Sequence, residues 1–173
     1  MLAKTARRED RAVQHLKGRI AEALVEGMLM RAGYAVSRMG RESQDEFLPD
    51  FIVRRPVERP GSDRPLHALV HVEVKYRHDI ARFWRRDAVS FFESAKRWPD
   101  LWLVLVTDRP EQGRSCFQVL RGADDIATTT TDLECVPLFD IDPSTAAEYA
   151  DLTTKLFALL AESRAGRRTT RVG

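Results

Sequence analysis

Three residues of one short segment could do chemistry together: His71, Glu73 and Lys75. They alternate with valines in the run Val70-His71-Val72-Glu73-Val74-Lys75. Because successive side chains of a β-strand point to opposite faces, the valines form an apolar face and the other three a polar row. Glu73 and Lys75 either serve a cation and a water or form a plain surface ion pair. We expect His71, on the same face, to be a packed structural histidine.

Asp50 is a second candidate, because its carboxylate interrupts a predicted apolar strand over residues 47–53. Aspartate is rare in strands and costs free energy when buried without a partner. Asp50 therefore either caps the strand entry beside Pro49 or has its charge compensated by a cation. If this strand pairs with that of residues 68–75, Asp50 and Glu73 converge. Two close carboxylates repel each other unless a divalent cation joins them, and oxygen ligands with open water positions suit Mg²⁺ or Mn²⁺.

A third carboxylate, Glu22, lies on the first predicted helix, which covers residues 8–32 with a break near Gly18. On a helical wheel Glu22 is at the border of the apolar stripe that faces the core. Glu26 lies on the same side, farther from the stripe, and we expect it to be solvated. Glu22 either approaches the strand carboxylates or forms a surface pair with a neighbouring arginine.

These residues resemble the PD-(D/E)XK nuclease superfamily, through the array Gly18-x-x-Ala21-Glu22, Pro49-Asp50 and Glu73-Val74-Lys75. The likeness is strongest to small bacterial members related to archaeal Holliday-junction resolvases, and it covers roughly residues 17–107. It implies that Asp50 and Glu73 bind the metal, that Glu22 completes its ligands and that Lys75 faces the attacking water. The second predicted helix lacks the glutamine motif of some members, which leaves the subfamily open, and Lys96 is only an auxiliary basic candidate.

Basic residues follow the motif closely. The nucleic-acid-binding candidates are Arg77, Arg82, Arg85 and Arg86. Together with Phe83 and Trp84, this segment either holds a phosphate backbone or is a solvated helix start whose aromatic residues belong to the core. The arginines of the predicted loop over residues 54–65 either clamp a duplex or belong to a polar hairpin; they are Arg54, Arg55, Arg59 and Arg64.

Charge is distributed unevenly along the chain. Residues 1–100 carry 20 basic and 15 acidic side chains, residues 101–163 carry 4 and 11, and residues 164–173 carry four arginines and no acid. A basic first part favours a polyanionic partner, and we expect nucleic acid, DNA in particular. Arginine makes up 23 of the 28 basic residues, which suits phosphate recognition but would equally follow from a GC-rich genome.

The elements that must position these residues follow from hydrophobic periodicity. After the first helix we predict strands over residues 34–37, 47–53 and 68–75, a helix over 82–98 and a strand over 101–107. Weaker strands over 116–120 and 133–139 and a helix over 143–160 complete the chain. This αβββαβ order predicts one α/β domain over residues 1–163, a mixed sheet flanked by helices in three layers, which the resemblance makes restriction-endonuclease-like. Residues 164–173 are predicted to be a basic disordered tail.

Composition excludes several classes of protein. No apolar run approaches the ~18 residues of a membrane span, no secretory signal opens the chain, and the two cysteines form no CxxC pair. We therefore predict a cytoplasmic, Mg²⁺-dependent phosphodiesterase acting on DNA without a membrane partner. Cutting both strands of a duplex would favour a homodimer. The alternatives are a catalytically silent nucleic-acid-binding module on the same fold and an unrelated α/β interaction protein.

Overall fold

The computed structural model describes residues 2–39, 48–57, 66–80, 83–84, 88–98, 100–121 and 129–169. Its elements are α1 (Leu2–Arg31), β1 (Ala35–Arg38), β2 (Phe51–Val57), β3 (Leu66–Tyr76), α2 (Ala88–Ala95), β4 (Leu101–Val106), β5 (Phe117–Arg121), β6 (Thr131–Asp132), a 3-10 turn (Leu133–Cys135) and α3 (Pro143–Thr169). Among the helices of these residues, none combines the length and the apolar composition that crossing a bilayer requires.

The six strands form one mixed sheet in the order β1-β2-β3-β4-β5-β6. Strands β3 and β4 are parallel, with Glu73 opposite Leu103 and Lys75 opposite Leu105, and the other neighbours are antiparallel. A parallel pair requires a crossover connection, and α2 lies in it. The predicted α/β class, with a mixed sheet flanked by helices, is therefore confirmed.

Each face of the sheet has its own buried cluster. Val70, Val72 and Val74 of β3 pack with residues of α1 and α3 on one face, as their alternation predicts. On the other face Leu103 of β4 packs with Phe91 of α2. The sheet is consequently the middle of three layers, and side chains at its centre are buried from both sides.

Helix α1 runs through Gly18 without interruption, so the predicted break is wrong. One helix-interior glycine costs only about 1 kcal/mol relative to alanine, which burial of the apolar stripe from Ala21 to Leu29 outweighs. The C-terminal end of the helix, at Arg31, is within one residue of the predicted end. Gly33 has φ +88°; its N–H donates to Met30 O, and the Tyr34 N–H donates to Leu29 O, both at 3.0 Å. This pair of hydrogen bonds is a Schellman motif, in which glycine supplies the left-handed conformation.

Strand β2 begins and ends four residues later than predicted, at Phe51 and Val57. The first part of the predicted loop therefore belongs to the sheet, and the rest of it lies outside the described residues. Pro56 has no N–H to donate to a neighbouring strand. It is tolerated because the pairing of β1 with β2 ends at Arg54, so no residue of β1 lies opposite Pro56. On the other side it lies opposite His67 of β3.

Three later boundaries also differ from the predictions. The strand predicted over residues 133–139 is a 3-10 turn followed by a second turn, because Leu133 and Phe139 reach the core without an extended backbone. Helix α2 ends at Ala95 rather than at residue 98, and within 80–87 only Ile80, Phe83 and Trp84 are described, all helical. Helix α3 continues to Thr169, beyond the predicted end at residue 160. The predicted disordered tail, residues 164–173, overlaps this helix up to Thr169, and its last four residues lie outside the described residues.

Candidate active site

Asp50 and Glu73 meet where β2 and β3 begin to diverge. The ladder starts with Phe51 opposite Val72, so the same register continued by one residue sets Asp50 opposite Glu73. At this point the Val74 N–H donates to Asp50 Oδ2, at 2.8 Å, instead of to a main-chain carbonyl. Asp50 therefore does cap the strand entry, one of the two roles left open by the sequence, and it does so beside the second carboxylate.

Glu73 is buried, with 5% of its surface exposed. Its Oε1 accepts a hydrogen bond from Lys75 Nζ at 2.5 Å, while its Oε2 has no hydrogen-bond partner in the described part of the chain. Burial raises the pKa of Glu73 to about 7; the charge and hydrogen bond of Lys75 oppose this shift, and the charge of Asp50 and a hydrogen bond with its carboxyl group add to it. The buried carboxyl is thus only partly compensated by its protein neighbours.

A cleft opens beside these residues, between α1 and the end of β3, with a volume of about 250 Å³. We call it the carboxylate cleft. Lys75 lines the carboxylate cleft, and about a third of its side chain is exposed. Its ammonium group thus contacts both the Glu73 carboxylate and solvent. The remaining lining residues are Gln14, His15, Gly18, Glu22, Glu73, Val74, Tyr76 and Arg77.

Glu22 reaches the same cleft, but its carboxylate is bound by arginines. Its Oε2 lies 3.3 Å from Arg19 Nη1 and 3.4 Å from Arg38 Nη1, and its side chain is 10% exposed. Arg38 also binds both carboxylate oxygens of Glu26, which is therefore paired rather than solvated. The structure therefore agrees with the alternative in which Glu22 pairs with an arginine. The pair is part-buried rather than on the surface.

Arg38 is a site residue that sequence reasoning missed. Its guanidinium carbon lies 5.3 Å from the centre of the Phe51 ring. The hydrogen bond to Glu26 raises its pKa; burial opposes this shift, and the charges of Glu26, Glu22 and Asp50 add to it. Arg38 thus compensates carboxylates on both walls of the site. The available signal was its position at the end of β1, directly opposite Phe51.

A second polar network borders the cleft through Tyr76. Lys17 Nζ donates to the Tyr76 hydroxyl at 2.9 Å, and that hydroxyl donates to Asp108 Oδ1 at 2.8 Å. His78 Nδ1 lies 3.1 Å from the same carboxylate oxygen. Burial alone would raise the pKa of Asp108, but the hydrogen bonds from Tyr76 and His78 and the charge of Lys17 outweigh it and lower the pKa. This network joins α1 to the ends of β3 and β4.

Of the remaining candidates, some lie in the described part of the chain and others lie outside it. His71 packs against Trp98, with ring centres 4.7 Å apart, and burial lowers its pKa, as for a structural histidine. Arg77 lines the cleft, and its Nη1 donates to Tyr76 O at 2.8 Å. Five of the candidate arginines lie outside the described residues; they are Arg59, Arg64, Arg82, Arg85 and Arg86.

Several auxiliary candidates have ordinary structural partners. Phe83 is fully buried beneath Trp84, which is half-buried, so the core alternative applies to this aromatic pair. Arg55 lies 2.7 Å from Asp140 and stacks over a tyrosine ring, while Arg54 is exposed on β2. Lys96 forms an exposed ion pair with its helical neighbour Glu93.

Two carboxylates, those of Asp50 and Glu73, are available to bind a metal ion. Within the described residues no group of three or more histidine, cysteine, aspartate or glutamate side chains gathers closely enough to hold an ion. Mg²⁺ is commonly held by one or two carboxylates, with waters and substrate phosphates completing its octahedron. Asp50 and Glu73 fit that donor set, since Glu73 Oε2 is buried without a protein partner. Glu22, bound by two arginines, does not join them here.

Comparison with known proteins gives no relative: no family model, no curated protein and no solved structure matches the chain significantly. The family resemblance therefore depends on the motif residues themselves.

Proposed function

We propose that this protein is a divalent-metal-dependent nuclease of the restriction-endonuclease-like fold, which hydrolyses phosphodiester bonds in DNA. One observation carries the proposal: Glu73 and Asp50 are adjacent at the divergence of β2 and β3, one buried carboxylate oxygen has no protein partner, and Lys75 lies on the same carboxyl group. The element order α1-β1-β2-β3-α2-β4, which equals the order implied by the resemblance, supports it further.

Asp50 and Glu73 would hold Mg²⁺ or Mn²⁺, whose chemistry is to lower the pKa of a bound water and to polarise a phosphoryl oxygen. The chain's own residues prepare the site for this. The Val74 N–H fixes the Asp50 carboxylate at the strand entry. Lys75 orients the attacking water and offsets negative charge that develops on the phosphate, and a compact ammonium group suits both tasks.

The cleft also supports an anionic substrate. Lys75 and Arg77 place two positive charges along the β3 wall, and the α1 wall adds the hydrogen-bonding side chains of Gln14 and His15. A phosphodiester backbone matches this combination, because cationic and neutral donors both bind phosphate oxygens. DNA as the substrate, the homodimer and the cytoplasmic location remain predictions from the sequence.

A catalytically silent nucleic-acid-binding module is the second candidate. The pairing of Glu22 with Arg19 and Arg38 favours it, because that pairing leaves two rather than three carboxylates for an ion. The two functions differ in one respect that can be measured. A nuclease needs the Glu73 carboxylate for the rate of cleavage, whereas a silent module needs the basic residues for binding alone.

The test is incubation of the full chain with labelled single-stranded, duplex and branched DNA and with RNA, in Mg²⁺, Mn²⁺ or EDTA. We expect metal-dependent cleavage of DNA that falls at least a hundredfold in Glu73→Gln, the order of loss for one preorganised group. Glu93→Gln is the matched control, since it makes the same change at an exposed glutamate of α2. Binding without cleavage would support the silent module, and absence of both would refute both candidates.

A further inference from the structure

Helix α1 contains two interior glycines whose surroundings differ sharply. A Cβ on Gly27 would lie 2.9 Å from the Tyr149 hydroxyl, so close packing of α3 accounts for this glycine. A Cβ on Gly18 would meet no heavy atom within 4 Å in the described part of the chain. Glycine in a helix costs about 0.5–1 kcal/mol relative to alanine. At Gly27 this cost permits a helix contact, whereas packing gives no reason for it at Gly18.

The position of Gly18 on the helix indicates what it does instead. Gln14, Gly18 and Glu22 are spaced four residues apart and therefore share one helix face. All three line the carboxylate cleft, opposite Glu73 and Lys75 of β3. Any side chain larger than that of glycine at position 18 would consequently occupy the cleft rather than the core.

A second observation points to a ligand in the cleft. Glu73 lines it, is 5% exposed, and leaves Oε2 without a partner in the described residues. A buried, unpartnered carboxylate oxygen is costly unless a cation or donor reaches it. A volume of about 250 Å³ is slightly below the ~300–1,000 Å³ of pockets for drug-sized ligands, so the cleft is closer in size to one nucleotide unit than to two paired strands.

We infer that Gly18 is a specificity-determining position that keeps the α1 wall of the cleft open for a single phosphodiester strand. The inference rests on the proposed function and deepens it. The strand passes between Gly18 on α1 and the end of β3, so that its phosphate comes to Glu73, Lys75 and Arg77. A duplex substrate must then fray or present an unpaired segment, and single-stranded or overhanging DNA is preferred to a blunt duplex.

The experiment compares Gly18→Ala, Gly18→Leu and Gly18→Gln with the wild type and with Ala23→Leu, which adds comparable bulk to an exposed position of the same helix. Melting temperature, Mn²⁺ affinity by calorimetry, binding of a fluorescent single-stranded oligonucleotide in Ca²⁺ and single-turnover cleavage in Mg²⁺ are measured. We expect Gly18→Ala to melt at or above the wild-type temperature, because alanine favours a helix interior over glycine. The Leu and Gln variants should have the melting temperature and the Mn²⁺ affinity of the wild type, yet bind the oligonucleotide at least tenfold more weakly. The control Ala23→Leu should leave all three quantities unchanged.

The outcomes separate this inference from the proposed function. If the wild type cleaves DNA and Gly18→Leu binds and cleaves equally well, only the inference is overturned. It is also overturned if all three substitutions at Gly18 lower the melting temperature, because the glycine would then be structural. If the wild type neither binds nor cleaves any nucleic acid, the proposed function fails and the inference fails with it.

Discussion

Replacing Glu73 by glutamine should change how the stability of the protein depends on pH. The ordinary pKa of the side chain is 4.5, and in the folded protein it is about 7, chiefly because of burial. Between these values the folded protein binds the proton more tightly than the unfolded chain does. Protonated Glu73 therefore favours folding fully below about pH 4.5, and that contribution is lost as pH rises through 7.

The size of the effect follows from the same two values. At ~1.4 kcal/mol per pH unit, a pKa that rises from 4.5 to about 7 corresponds to about 3 kcal/mol of unfolding free energy lost between pH 4.5 and 8. For a protein of this size, 1 kcal/mol moves the melting temperature by roughly 2–4 °C. The share of the pH dependence that belongs to Glu73 is then on the order of 6–12 °C. Glutamine cannot ionise and removes that share.

The assay is urea and thermal unfolding of the wild type and Glu73→Gln in EDTA, from pH 5 to pH 8. We expect the two proteins to be similarly stable at pH 5 and the variant to be the more stable one at pH 8. Lys75 loses its partner, but about a third of its side chain is exposed, so the ammonium group can turn to water. Glu93→Gln should track the wild type throughout. Parallel pH profiles for wild type and Glu73→Gln would mean that the carboxylate is fully compensated, contrary to the reasoning.

Further predictions concern catalysis, packing and substrate binding. Lys75→Met should slow single-turnover cleavage about a hundredfold while Mn²⁺ affinity, measured by calorimetry, is retained; near-parental cleavage would contradict the role of Lys75. Gly33→Ala should lower the free energy of unfolding in urea by about 1 kcal/mol, because φ there is +88°. Tyr76→Phe should cost about 1–2 kcal/mol by removing the hydroxyl between a lysine and an aspartate; a neutral result would mean that the network adds no stability. Oligonucleotide affinity should fall steeply with salt, and Arg77→Gln should reduce the slope of log K against log salt by about 1; an unchanged slope would exclude a phosphate contact.

Local periodicity was sufficient to predict the strand that carries the motif and the sharing of one face by Glu73 and Lys75. The same period places the three valines of β3 against α1 and α3. Asp50 was predicted to approach Glu73 if their two strands pair, and the antiparallel pairing of β2 with β3 meets that condition. Its bond to the Val74 N–H follows from the break in the ladder at that point.

The long-range pairings could not be predicted in the same way. Arg38 is 16 residues from Glu22, and the Tyr76 hydroxyl binds Lys17 across 59 residues. Periodicity describes which face a side chain occupies, but not which distant side chain shares that face. The predicted break at Gly18 failed for a related reason, since tertiary burial of the helix outweighs the propensity of one residue.

Helices α1 and α3 pack against each other, which has a consequence for how the chain folds. Arg31 of α1 pairs with Glu148 of α3 at 2.6 Å, and Gly27 faces Tyr149. Residues 32–142 separate the two helices, and at about 5–20 residues per second a ribosome needs roughly 6–22 s to synthesise that interval. During this time the part of α1 that packs on α3 lacks its neighbour. Closure of this part of the core is therefore a late, non-local event, which is expected to slow folding.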